Sequence, residues 1–180
     1  MAGFYGVKDK LQDQVVDFPE KRPLDYRIKD LSAVQIDEIN NSQVKLDCIQ
    51  QLYKALKDRN SAANNGADTL KRINLIDSHF TFLMQTLPSE EAKLQVIVDF
   101  CHDCLARGYQ TNLKAALKKL NEGPHFPNHP EYQAKCTLLK SKILFKQGDL
   151  PPAERAAREA LTKTKDATLI AEINAHLGTI

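Results

Sequence analysis

From Ser32 to Gly178 the apolar side chains return every three or four residues, and Gly, Pro and capping residues cut that rhythm into short segments. A period near 3.6 gathers apolar side chains on one side of a helix, whereas a half-buried strand needs strict alternation. No stretch alternates convincingly, so the expected fold class is all-α, with seven helices. Ile36, Ile39, Val44, Leu46, Ile49, Leu52, Tyr53 and Leu56 mark one long helix, and the polar run 60–66 breaks it. Asp68 should cap the next, which carries Leu70, Ile73, Ile76, Phe80, Leu83 and Leu87 and ends at Pro88. Ser89-Glu90-Glu91 opens a third, with acids against its positive end, and Arg107-Gly108 closes it. Thr111 should cap a short fourth helix, closed by Gly123-Pro124. After the connector His125-Phe126-Pro127-Asn128-His129, a fifth helix runs from Pro130 to Lys146. Asp149, Pro151 and Pro152 open a sixth, and Asp166 caps a seventh that runs to Gly178.

Residues 1–31 read differently. Gly3, Gly6, Pro19 and Pro23 punctuate a polar stretch in which only Val7 to Phe18 suits a short helix, and 19–23 reads as a helix stop. The expected organisation is a tail or strap over 1–31, helical hairpins over 32–123 and a repeat region over 124–180. Phe4, Tyr5 and Phe18 give the strap apolar side chains with which to dock on a groove.

Short connections make neighbouring helices antiparallel, and hairpins that bury one face on the next hairpin grow by stacking. The stretch from Leu144 through Gly148-Asp149-Leu150 to Ala160-Leu161 resembles a tetratricopeptide repeat. Gly148-Asp149 stands at the family's turn, Leu150 at the large apolar position after it, and Ala153 and Ala160 at the two small positions of the second helix. Ser141 takes the small position of the first helix, and Gly178, 37 residues later, the same position in a following repeat. The physics suits the pattern: helices approach closely only where the side chains at the crossing are tiny. The departures are Lys140 in place of Leu, Thr137 and Ala157 in place of aromatics, Lys165 in place of the closing proline, and a spacing of 37 rather than the usual ~34. The resemblance is clear only over residues 131–180. It implies hairpins stacked as an α-solenoid, with first-helix side chains lining a concave groove. Lys135, Lys142, Lys146 and Asn174 are then the partner-binding candidates. Leu169, Ile170, Ile173, Leu177 and Ile180 would lack a partner helix, so either the array continues beyond this sequence, which is the expectation, or another chain covers that end.

Other chemistry competes with that reading. Cys101-His102-Asp103-Cys104, with His125 and His129, supplies four possible zinc ligands, Cys101, Cys104, His125 and His129. The intervening residues read as a helix end plus a whole helix, and cysteines at i and i+3 of a helix suit a core equally well. A redox pair would need the first cysteine at a helix start after a strand. Glu90-Glu91 reads as a helix-terminus charge pair and His79 as a packed histidine. His102 and Asp103, being adjacent on a helix, point to different sides. Seven glycines leave no phosphate loop, and neither a nucleophile elbow nor a His-Glu-x-x-His motif is present. No catalytic residue, metal or cofactor is therefore expected.

The formal charge of +2 selects no partner, but from Thr111 to Lys165 there are 11 Lys and Arg against 5 Asp and Glu. Lys114, Lys118 and Lys119, with the row Lys135, Lys142 and Lys146, give this excess a nucleic-acid reading. Base-stacking aromatics are sparse beside them (Tyr109, Phe126, Tyr132, Phe145). Met1 leads into Ala2-Gly3-Phe4-Tyr5 rather than a basic and then apolar stretch, and no run is long and apolar enough to span a membrane. The cysteines are expected as thiols, in the cytoplasm or nucleus. The sequence thus reads as a non-catalytic scaffold or adaptor, a subunit of a protein complex that holds a peptide or helix of a partner in its groove. The alternative is a nucleic-acid-associated or zinc-stabilised helical module.

Overall fold

The computed structural model describes residues 23–59 and 65–180. Among them are eight α-helices, one 3-10 turn and no strand. The chain divides into two compact units, one up to Leu87 and one from Pro88. That division falls within the stretch 32–123, which the sequence reads as helical hairpins, either degenerate repeats or a bundle.

The first unit contains α1 (Leu24–Ser32), a 3-10 turn (Ile36–Glu38), α2 (Ser42–Asp58) and α3 (Asn65–Thr86). Helix α1 lies inside the expected tail, and Ile28 and Leu31 are buried. Its starting signal is hidden in a residue that reads as a stop. Pro23 occupies the position just before the first helical residue, where its missing N–H costs nothing. The expected long helix from Ile36 is likewise interrupted. Asn41 accepts a hydrogen bond from the Val44 N–H at 3.0 Å and starts α2 afresh. Helix α2 packs on both α1 and α3. It is buried through Val44, Leu46, Cys48, Ile49, Leu52, Ala55 and Leu56.

Asp68 is not the cap of α3. It lies in the first turn, 1% exposed, and its carboxylate takes two hydrogen bonds from the Arg59 guanidinium, one of them at 2.7 Å. Arg59 also reaches Asp25 of α1 at 2.8 Å. One guanidinium at the end of α2 therefore ties all three helices together.

The second unit contains α4 (Glu90–Arg107), α5 (Gln110–Glu122), α6 (Pro130–Gln147), α7 (Leu150–Lys163) and α8 (Ala167–Leu177). Most of its punctuation agrees with the sequence signals. Ser89 accepts from the Ala92 N–H at 3.1 Å, and Asp166 from the Leu169 N–H at 2.7 Å. Gly108 and Gly148 adopt the left-handed conformation, with φ of 69° and 87°. At Gly148 the Asp149 N–H reaches the Leu144 carbonyl and the Gly148 N–H that of Phe145, both at 3.0 Å, which satisfies the last carbonyls of α6. Thr111 is a departure, because α5 begins at Gln110 and Thr111 lies inside it.

Helix α6 is the centre of this unit. It packs most extensively on α7, also lies against α4 and α5, and touches α8. Ala134 and Leu138 of α6, Ala157 and Ala160 of α7, and Leu169 and Ile173 of α8 form one buried cluster. Leu144, Ala153 and Ala156 form another, on which Leu117 of α5 packs. The four alanines of α7 are 0–5% exposed, so a methyl group is all that separates its backbone from the neighbouring side chains. Leu177 and Ile180, expected to need a covering helix, are half-buried against these clusters of their own chain.

Candidate partner-binding face

Helices α4 and α6, each the first of a hairpin, and α8, next in the chain after the second hairpin, contribute to one groove. Side chains at i, i+3 and i+7 share a helix face. Gln95, Val98 and His102 of α4 have that spacing, as do Tyr132, Lys135 and Leu139 of α6, which Lys142 extends. These residues, with Leu138 and with Leu169 and Glu172 of α8, line a cavity of about 210 Å3. Val98, Leu138, Leu139 and Leu169 are buried and make an apolar floor. His102, Lys135 and Glu172 are exposed at the rim.

The rim is ordered by its own contacts. The Lys142 ammonium meets the Glu172 carboxylate at 2.5 Å and so joins α6 to α8. The Lys135 ammonium stands 5.2 Å above the ring of Tyr132, a cation–π contact on one helix. Behind the groove the Ser141 hydroxyl, fully buried, donates to the Ala153 carbonyl of α7 at 2.6 Å. With its single proton so used, Ser141 accepts from Nε2 of His176, 2.9 Å away on α8. His176 also sets its ring edge-on to Phe145. Burial, and then the Lys142 charge, holds the His176 imidazole below its ordinary pKa.

The candidate residues read from the sequence fall into distinct places. Lys135 and Lys142 lie in the groove. Lys146 donates to the Leu105 carbonyl at 3.3 Å, so it satisfies the last turn of α4. Asn174 is exposed on α8 and does not line the cavity. Phe4, Tyr5 and Phe18 lie outside the described residues. Ser141, Ala153 and Ala160 are 0% exposed at the helix crossings. Leu150 is 44% exposed. Gly178 is exposed, and the only atoms near a Cβ built there are carbonyls of its own helix. His102, Tyr132 and Glu172 join the groove without having been binding candidates in the sequence, although His102 and Tyr132 stand at groove-facing spacing from other lining residues.

The cysteine and histidine set is not gathered into a metal centre. Cys101 and Cys104 are fully buried in α4. His129 turns to the start of α4, with Nε2 2.8 Å from the Glu90 carboxylate. Among the described residues no group of three or more His, Cys, Asp or Glu is placed to hold a metal ion. Burial pushes the Cys101 thiol well up and those of Cys48 and Cys136 up to about 11, so all three stay protonated at neutral pH.

No family model matches this chain, and comparison with curated proteins and with solved structures yields no match either. Among the described residues no helix is long and apolar enough to cross a membrane.

Proposed function

We propose that this chain is a non-catalytic scaffold or adaptor, built of tetratricopeptide-like hairpins stacked as an α-solenoid, which holds a segment of a partner protein against the α4–α6–α8 face. The observation that carries this reading is the groove itself. Among the described residues its walls come from α4, α6 and α8, and it joins an apolar floor to a polar rim. The packing order agrees with stacked hairpins: α4 lies on α6, α6 touches α8, and the second helices α5 and α7 each lie against the next first helix. An extended or helical segment would place an apolar side chain on Val98 and Leu139 and polar groups against Lys135, His102 and Glu172.

Co-purification tests the proposal. Full-length protein is recovered from its own cell beside a variant carrying His102→Glu and Lys135→Glu, two exposed rim positions whose change leaves the core intact. A stoichiometric protein partner lost from the variant is the expected result. Partners retained in full by a folded variant would remove this face from the reading.

A further inference from the structure

A second cavity, of about 160 Å3, lies where α4, the ends of α5 and α7, the connector before α6 and the first half of α6 meet. We propose that it is a binding site for a small organic anion, a carboxylate borne on a compact apolar body.

The two sides of the cavity differ in chemistry. Leu94, Ile97, Leu120 and Phe126 form an apolar wall, and Lys119 and Lys163 bring cationic side chains, while among the described residues no carboxylate lines it. The Lys163 ammonium is fixed at the wall. It donates to Thr137 Oγ1 at 3.2 Å and to the Glu159 carboxylate at 2.5 Å. Thr137, itself a lining residue, gives its own proton to the Gln133 carbonyl at 2.7 Å, so its oxygen is left to accept from the lysine. An ammonium has three donors, and these two contacts leave one for a ligand. The Lys119 ammonium stands 5.2 Å above the ring of the fully buried Phe100, which draws its charge inward from solvent.

His125 also lines the cavity, and two other polar side chains of the wall do not compete for an anion. The Gln133 side-chain amide donates to the Phe126 carbonyl at 2.6 Å and pins the connector in place. The Cys136 thiol is held protonated by burial, so it adds polarisable surface and no negative charge. A carboxylate in partly desolvated surroundings near Lys119, and within reach of the remaining donor of the Glu159-paired Lys163, gains more than it would in bulk water, and a neutral molecule of the same shape lacks the charge term. The volume suits one compact ring or short chain, because pockets for larger ligands enclose roughly 300 Å3 or more.

The experiment titrates benzoate into the full chain while following backbone amide resonances, with benzyl alcohol as the uncharged counterpart. Saturable shifts at Gln133, Cys136 and Thr137 with benzoate, and much weaker ones with benzyl alcohol, are expected. Lys163→Met should weaken benzoate about tenfold, the loss of one charge-assisted contact. Helical content should stay unchanged, since the Glu159 pair that this variant loses lies on an exposed helix face. Lys119→Met, away from that pair, should weaken it in the same direction. Equal binding of benzyl alcohol, undiminished binding in both variants, shifts confined to His102 and Lys135 in the other groove, or no saturable shift would each overturn the proposal.

Discussion

The Ser141 hydroxyl and the His176 imidazole meet at 2.9 Å, and through the Ala153 carbonyl they join α6, α7 and α8 at one buried point. Ser141→Ala removes the second donor of a carbonyl that also accepts within α7, leaves the imidazole N–H without its partner, and should cost about 1–3 kcal/mol. His176→Ala should cost about 1 kcal/mol, because Ser141 keeps its bond to Ala153. The burial of His176 also sets a pH dependence. The folded-state pKa of His176 is depressed, so the unfolded chain takes up the proton more readily. Stability is therefore full above the ordinary imidazole range and falls as pH drops through it. His79, 8% exposed and depressed chiefly by burial, acts with the same sign. Urea midpoints at pH 7.5 and 5.5 check this: the fall should shrink in His176→Gln and shrink again when His79→Gln is added.

Arg59 and Asp68 make a different pair. Asp68 is buried, and hydrogen bonds from Arg59 hold its carboxyl below the ordinary carboxylate range. Its contribution is present above that range and lost as pH falls through the depressed value, the acid side of the profile. Arg59→Met strands a buried carboxylate and should cost about 3 kcal/mol at pH 7. Asp68→Asn should flatten the acid limb. Chemical denaturation monitored by circular dichroism reads both.

The alanines of α7 leave no room for growth. Ala153→Leu and Ala160→Leu, at positions 0% exposed, should each destabilise by about 1–3 kcal/mol through overpacking. Melting temperatures unchanged in both would remove the close crossing as a feature of the fold.

Gly148 isolates backbone strain from packing. Its φ is 87°, and a Cβ built there meets nothing within 4 Å. Gly148→Ala should therefore cost only the left-handed penalty, about 1–2 kcal/mol, and Gly148→Asn less, since Asn visits that region more readily. Thermal unfolding of the two variants side by side gives the comparison.

The signals legible in the sequence are local. Ser89, Gly108, Gly148 and Asp166 act within a few residues of themselves, and each does in the structure what its chemistry suggests. The failures needed tertiary knowledge. Pro23 reads equally as a stop or as the residue before a start, and only the burial of Ile28 and Leu31 against the rest of the first unit decides between them. Asp68 looks like a cap until Arg59, nine residues earlier, is seen to reach it. Lys146 shares the helix stripe of Lys135 and Lys142, yet it is drawn away by the end of α4, a contact 41 residues distant that no periodicity reveals. Lys135 and Lys142 are legible because a stripe on α6 is a local property; His102 and Glu172 complete the rim only through the packing of three helices.

The most direct measurement is site-specific photo-cross-linking in the cell the protein comes from, with a photoreactive residue placed singly at His102, Lys135 or Lys114. The first two stand on the groove rim, and Lys114 is exposed on α5 outside it. The same protein cross-linked from 102 and 135, and not from 114, is the result expected of a partner held on the α4–α6–α8 face. Cross-links from 114 alone, or nucleic acid captured in place of protein, would contradict it.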